Sequence, residues 1–63
     1  MLGQILKEKR LENKMSQTDV AVAVGVSLTA YQLWERGASK PNAENWLKLK
    51  KVLDLDDLVL DKQ

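Results

Sequence analysis

Residues that start and stop helices recur at short intervals along this chain. Ser16 and Ser27 are good N-caps, and Gly25 and Gly37 can each end a helix in the left-handed conformation. Pro41 then prevents a helix from continuing soon after Gly37. These intervals leave room only for helices of about two to three turns. We therefore expect a compact cluster of short helices and not a bundle of long ones.

The apolar residues inside these intervals have helical spacing, and the alternation typical of strands does not persist. Asn42 caps a further helix, and Asp56 or Asp57 opens a last short one. The predicted helices cover residues 2–13, 17–24, 28–36, 43–53 and about 56–60. The sequence therefore predicts an all-α fold, a compact five-helix arrangement that forms one domain over residues 1–63.

The composition argues against an enzyme. The chain has 63 residues and contains neither histidine nor cysteine, which removes the commonest general base and any thiolate zinc site. No pairing of nucleophile and base is visible, and a domain this small has little room for an enclosed pocket. We expect no catalytic residues, no metal and no cofactor. No apolar run approaches the roughly 20 residues of a membrane span, so no membrane partner is expected either.

The charge is distributed unevenly along the chain. Residues 1–53 hold nine Lys and Arg against five Asp and Glu, whereas residues 54–63 hold one Lys and four Asp. A basic body favours a polyanionic partner. The same excess also suits ordinary solubility, so the charge alone does not decide between these interpretations.

Two of the predicted helices are joined by a very short turn. Residues 17–24 and 28–36 flank the three residues Gly25, Val26 and Ser27, which is the spacing of a helix-turn-helix. In that motif the second helix lies in the DNA major groove, while the first crosses the backbone. The sequence therefore predicts a helix-turn-helix over about residues 17–36.

The second helix of this motif has two distinct arcs when its residues advance by about 100° each. One arc carries Ala30, Tyr31 and Trp34 and is expected to face the core. The opposite arc is free to meet a partner, and it consists of Leu28, Thr29, Gln32, Leu33 and Arg36. Two leucines on an outward arc are unusual, because an ordinary solvent-facing surface would carry polar residues there.

Many residues across the chain match one family pattern. They are Leu6, Arg10, Ser16, Gln17 and Ala21, followed by the runs at residues 24–27, 34–37, 41–42 and 44–45. This pattern resembles the lambdoid phage repressor and Cro (C1) type of helix-turn-helix domain, the XRE-like family of phage and bacterial regulators. The resemblance covers nearly the whole chain. It implies a lambda-repressor-like fold and a cytoplasmic protein, in a bacterial host or on its nucleoid.

The outward arc and the resemblance together indicate the residues that would bind DNA. They are Gln17, Ser27, Leu28, Thr29, Gln32, Leu33, Arg36 and Lys40. By resemblance, Gln17 is similar to a glutamine that binds phosphate and braces the recognition helix. Leu28, Thr29 and Leu33 occupy base-contacting positions. Arg36 and Lys40 resemble residues near the phosphate backbone.

The resemblance also implies two contacts that would hold the protein together. Arg10 and Glu35 match a family pair that forms a salt bridge between the first helix and the end of the recognition helix. The family places its dimer contact near the last helix, so Leu58, Val59 and Leu60 are the candidates in this chain. These three residues can alternatively close the core of the monomer.

Several of these residues have an alternative interpretation. Leu28 and Leu33 can contact thymine methyl groups in the major groove, or they can pack within the domain or against another protein. Gln32 can pair with adenine N6 and N7, or be a solvated amide. Arg36 can bind phosphate or guanine, or simply stabilise the end of its helix.

The sequence thus predicts a sequence-specific, DNA-binding transcriptional regulator of the repressor kind. It would bind a palindromic operator in double-stranded DNA as a homodimer, weak without DNA, through the third helix. The alternative is a protein-interaction module that kept this fold and lost base-specific reading, which the apolar outward arc supports. Gln17, Arg36 and Lys40 count against it, because such a module does not need phosphate-facing groups at these spacings.

Overall fold

A computed structural model describes residues 2–55 of the chain. It contains the helices α1 (Leu2–Glu12), α2 (Gln17–Val24), α3 (Leu28–Arg36) and α4 (Ala43–Leu53). The fold of this part is all-α, and α2, α3 and α4 have the predicted bounds. Helix α1 ends at Glu12, one residue before the predicted end at residue 13.

The prediction of five helices is wrong, because the part of the chain that the structure describes has four. Asp54 follows α4 in the left-handed conformation, at φ 55°, and its N–H bonds to the carbonyl of Lys50. Leu55 comes next and is buried in the core. The predicted fifth helix, about residues 56–60, lies outside the described residues. Its sequence signal was only three consecutive apolar residues, which is too short a run to have a helical period.

Local capping fixes the starts of α2 and α3. The Ser16 hydroxyl accepts a hydrogen bond from the Asp19 N–H at 3.0 Å, and the Asp19 carboxylate accepts one from the Ser16 N–H at 2.9 Å. Ser27 caps α3 in the same way, through the Ala30 N–H at 3.1 Å. Gly25 ends α2 at φ 87°, where a side chain would be strained. These contacts hold the turn between the two helices and so set the position of α3 relative to α2.

The core lies where the inner face of α3 meets the other helices. Helix α3 packs against α1 and α2, and α4 packs against α2 and α1. Tyr31 and Trp34 lie on the inner face of α3, with their ring planes 76° apart and their centroids separated by 6.0 Å. The buried apolar residues are Leu6, Val20, Ala21, Val24, Tyr31, Trp34, Trp46, Leu49, Leu53 and Leu55. The two aromatic rings anchor α3 by one face and leave its other face outward.

Helix α1 approaches the backbone of α3 at Gly3. A Cβ atom placed on this buried glycine would lie 2.8 Å from the carbonyl carbon of Glu35 and 2.9 Å from the carbonyl oxygen of Trp34. Both neighbours are backbone atoms, so they cannot rotate away as a flexible side chain would. The absence of a side chain on Gly3 therefore permits the close contact between the start of α1 and the end of α3.

Candidate nucleic-acid interface

The outward face of α3 carries the residues that its helical rotation predicts. Tyr31 and Trp34 are buried on the opposite face. Leu28 is 39% exposed, which is high for a large apolar side chain. The full set is Leu28, Thr29 and Arg36, which are exposed, and Gln32 and Leu33, which are half-buried. This helix therefore presents a mixed surface of methyl, hydroxyl, amide and guanidinium groups to the solvent.

The remaining candidate residues lie around α3. Ser27 is exposed at the N-terminus of α3, and Gln17 is half-buried at the start of α2. Lys40 is exposed in the connection that leads to α4. Arg36 and Lys40 line the same cleft, of about 290 Å³, together with the start of α1. Both basic residues thus line one cleft beside the end of α3.

An ion pair joins α1 to the end of α3. Arg10 is only 8% exposed, and its Nε donates to Glu35 Oε2 at 2.6 Å. A second guanidinium nitrogen, Nη1, donates to the backbone carbonyl of Met15 at 3.0 Å. Charged hydrogen bonds of this kind are shorter and stronger than neutral ones. Arg10 therefore fixes both the position of Glu35 and the connection that leads into α2.

The same carboxylate begins a chain of side-chain hydrogen bonds toward the outward face. Gln17 Nε2 donates to Glu35 Oε1 at 3.1 Å, and Gln32 Nε2 donates to Gln17 Oε1 at 3.2 Å. Together with Arg10 these residues form a continuous polar chain, which we call the Arg10–Gln32 relay. It runs from the buried ion pair to the surface of α3.

The sequence analysis predicted only the Arg10–Glu35 pair of this relay, and it did not predict the hydrogen bonds that continue through Gln17 to Gln32. Gln17 is 18 residues from Glu35 and 15 from Gln32, so no local pattern connects them. Only the packing of α2 against α3 brings the two amides together. The one available signal was the bracing role implied for Gln17 by resemblance, and this did not identify its partners.

Burial and hydrogen bonding act in opposite directions on the relay's carboxyl group. Burial raises the pKa of Glu35, but hydrogen bonds to its carboxylate, chiefly from Arg10 and also from Gln17, outweigh this effect and lower the pKa below its usual value. The pKa of the neighbouring Tyr31 hydroxyl shifts in the opposite direction. Its burial and the nearby Glu35 carboxylate raise the pKa of Tyr31. Glu35 is therefore ionised and Tyr31 neutral at ordinary pH.

This arrangement predicts how folding stability depends on pH. Because folding lowers the pKa of Glu35, the unfolded chain binds its proton more readily, and the stabilisation is lost as pH falls through the folded-state value. Replacing both members of the pair, Arg10 with Met and Glu35 with Leu, removes the titrating carboxyl without leaving a buried charge unpaired, and it should remove part of the fall in the free energy of unfolding between about pH 5 and pH 3. Urea unfolding measured across that window tests the prediction.

Glu44 supplies a matched control for the pH experiment. Its side chain is 77% exposed and pairs with Lys48 across one turn of α4, at 3.7 Å. Exposed pairs of this kind contribute little to stability, so Glu44→Gln should leave the pH profile nearly unchanged. A double variant that keeps the full acid sensitivity of the wild type would contradict the assignment.

The described residues contain neither a candidate metal site nor a helix that could span a membrane. Among residues 2–55, no cluster of three or more histidine, cysteine or acidic side chains is placed to bind a metal ion. None of the helices in this part is long and apolar enough to pass through a lipid bilayer.

The four short helices, the three-residue turn and the outward face of α3 define a helix-turn-helix domain. Comparison with known proteins agrees, because the helix-turn-helix family matches residues 6–60. The chain belongs to this family. No solved structure matches the chain significantly.

Three curated relatives show which members of the family the chain is similar to. Repressor protein C2 of Salmonella phage P22 is 38% identical over 53 residues, which are 84% of this chain and 24% of that protein. The HTH-type transcriptional regulator DicA of Escherichia coli (strain K12) is 35% identical over 52 residues, 82% of this chain and 38% of that protein. The ImmF control region 10 kDa protein of Bacillus phage phi105 is 34% identical over 59 residues, 94% of this chain and 66% of that protein. The chain thus spans less than half the length of the first two.

Proposed function

We propose that this domain binds double-stranded DNA, with α3 in the major groove, and that it acts in a transcriptional repressor. The observation that carries the proposal is the outward face of α3, which is held by its buried aromatic rings within a helix-turn-helix. Two of the relatives are called a repressor and a transcriptional regulator. A helix-turn-helix reads base edges with the N-terminal part of its second helix.

The start of α3 would supply the apolar part of base recognition. Leu28 and Thr29 are exposed in its first turn, and Leu33 is half-buried further along the same face. Methyl groups on these side chains suit the C5-methyl of thymine, which is the only apolar group on a base edge in the major groove. The exposure of Leu28 and Thr29 in the free domain is then explained, because DNA would cover them.

Polar groups around α3 would hold the phosphate backbone. Ser27 accepts from the Ala30 N–H through its oxygen, so its own hydroxyl hydrogen can donate to a phosphate. At the start of α2, the backbone N–H of Gln17 is one of those that a helix leaves without an internal partner, which suits an anion. Arg36 and Lys40 would add positive charge beside the end of α3.

We further propose that two copies bind a palindromic operator. In this class of protein a two-fold dimer places its recognition helices about 34–36 Å apart, one turn of DNA. By resemblance the contact would involve Leu58, Val59 and Leu60, which lie outside the described residues. So small an interface would give a dimer that is weak without DNA.

Lys40 allows a direct test of the backbone contacts. Lys40→Ala should weaken binding to specific and random duplexes alike and lower the slope of log K against log salt by about 0.9, the contribution of one phosphate. Fluorescence titration at several salt concentrations measures both quantities. Lys51→Ala is a matched control, because Lys51 is exposed near the end of α4, away from the proposed contact residues in sequence. An unchanged slope for Lys40→Ala would remove Lys40 from the interface.

Exposed apolar side chains favour one second candidate, a protein-interaction module. Val22 on α2 is 74% exposed and Leu28 on α3 is 39% exposed, and apolar exposure is a feature of protein-binding surfaces. This candidate predicts no salt-dependent binding to duplex DNA. The same titration therefore separates the two functions.

A further inference from the structure

The cleft beside the end of α3 is larger than a contact with the DNA backbone requires. Its volume is about 290 Å³, close to the lower end of the range for small-molecule sites, roughly 300–1,000 Å³. A phosphate in a DNA strand is tied to a sugar on each side, so it can meet Arg36 and Lys40 but cannot fill a cleft of this volume. The cleft therefore has room for a separate small ligand.

Part of the lining of this cleft is apolar. Leu2 is half-buried at the start of α1, and Trp34 keeps 5% of its surface exposed near the end of α3. Both side chains line the cleft, together with Gly3, which has no side chain that could fill the space. An apolar ligand body placed here would lose contact with water, which favours binding.

The charge of the cleft is positive. Arg36 and Lys40 are exposed, and within residues 2–55 the structure records no ion pair or hydrogen bond of either side chain. Glu35 also lines the cleft, but its two oxygens accept hydrogen bonds from Arg10, at 2.6 and 3.4 Å. The first turn of α1 contains no acidic residue. Two uncompensated positive charges therefore remain, and they suit an anion.

We propose that this cleft binds a small organic anion, a carboxylate or phosphate group attached to an apolar body, and that the bound anion competes with DNA for Arg36 and Lys40. The apolar body would contact Leu2 and Trp34, and the anionic group would pair with the two basic side chains. Because the same cations cannot serve both partners, the ligand would release the domain from DNA. The competition rests on the proposed function, whereas the binding site does not.

Naphthoate, a flat aromatic carboxylate, is a suitable probe for the cleft. Naphthamide has nearly the same shape without the charge, and inorganic phosphate has the charge without an apolar body. In NMR titrations of the protein, naphthoate should shift the backbone amide signals of Gly3, Gly37 and Lys40, with a Kd of about 1 mM or lower. Naphthamide and inorganic phosphate should each bind about threefold more weakly or worse.

Charge variants assign the binding to the two basic residues. Arg36→Gln and Lys40→Gln should each weaken naphthoate binding by about threefold and leave naphthamide binding unchanged, because only a charge is removed. Lys51→Gln is the matched control, since Lys51 is exposed on α4 and does not line the cleft. The same spectra show whether each variant is folded. Wild-type affinity for naphthoate in both cleft variants would overturn the inference, as would equal binding of naphthoate and naphthamide.

Competition with duplex DNA tests the second part of the proposal. At constant ionic strength, naphthoate at about ten times its Kd should weaken DNA binding by about threefold to tenfold, and naphthamide at that concentration should have a much smaller effect. Naphthoate that binds in the cleft without lowering DNA affinity would overturn the competition. The binding site itself would be overturned by an absence of binding, or by shifts confined to amides outside the cleft. A protein that binds no duplex without naphthoate would instead contradict the proposed function.

Discussion

Replacing Arg10 with Met should leave most of the protein unfolded at 25 °C. The change removes the cation that Glu35 faces while its side chain is only 6% exposed, and an uncompensated buried charge of this kind costs about 3–5 kcal/mol. It also deprives the Met15 carbonyl of its hydrogen bond from Arg10 Nη1. A domain below about 70–80 residues rarely has more than about 3–5 kcal/mol of stability in total. Urea unfolding followed by circular dichroism measures the loss.

A double variant provides the control for Arg10→Met. Combining Arg10→Met with Glu35→Leu removes both charges, and the replacement of a buried ion pair by apolar residues of similar volume is often neutral. The double variant should therefore recover much of the lost stability. A single variant that unfolds cooperatively with less than about 1 kcal/mol lost would show that Glu35 gains solvent easily and that the pair does not hold α1 against α3.

Gly3→Ala should destabilise the domain, contrary to the usual effect of this substitution in a helix. Alanine favours the helix by about 1 kcal/mol over glycine, but the added methyl would meet the carbonyl groups of Trp34 and Glu35 at the end of α3. Overpacking against atoms that cannot rotate away costs about 1–3 kcal/mol. We expect a net loss of stability, measured as a lower midpoint in urea.

The neighbouring residue on α1 is the matched control for Gly3. Gln4 is exposed, and its side chain bonds to Glu8, one turn along the same helix, at 3.0 Å. Gln4→Ala should change the urea midpoint little, because exposed side-chain pairs of this kind contribute about 0.2–0.5 kcal/mol. A higher urea midpoint for Gly3→Ala would contradict this prediction. It would mean that the gain in helix propensity exceeds the cost of the contact, and that α1 can shift away from α3 to make room for the methyl group.

Local signals were enough to predict most of the helix boundaries. Ser16, Ser27 and Asn42 each cap a helix through a hydrogen bond to a backbone N–H three residues ahead, and such bonds depend only on nearby residues. The end of α1 was less certain, because no glycine marks it. There the Asn13 side chain bonds to the carbonyls of Lys9 and Leu53, and the second of these bonds depends on how α4 packs.

The composition of the candidate site could be predicted, but its internal connections could not. Helical rotation separates the outward residues of α3 from Tyr31 and Trp34 without any tertiary information. The hydrogen bonds of Gln17 to Glu35 and Gln32 depend on how α2 packs against α3. Sequence patterns do not predict that packing to the accuracy of a hydrogen bond. Gly3 was overlooked for the same reason. A glycine inside a helical pattern was an available signal, but only the structure identifies the backbone that it accommodates.

Selection of bound sequences from a random pool of duplex DNA, at two salt concentrations, would show whether α3 reads base sequence. We expect a palindromic site with half-sites about one DNA turn apart. Each half-site should contain thymines opposite the start of α3 and an adenine opposite Gln32. Higher salt should weaken binding without changing the selected sequence. Binding that remains indifferent to sequence at both salt concentrations, or no binding at all, would contradict the assignment of α3 as a reader of DNA.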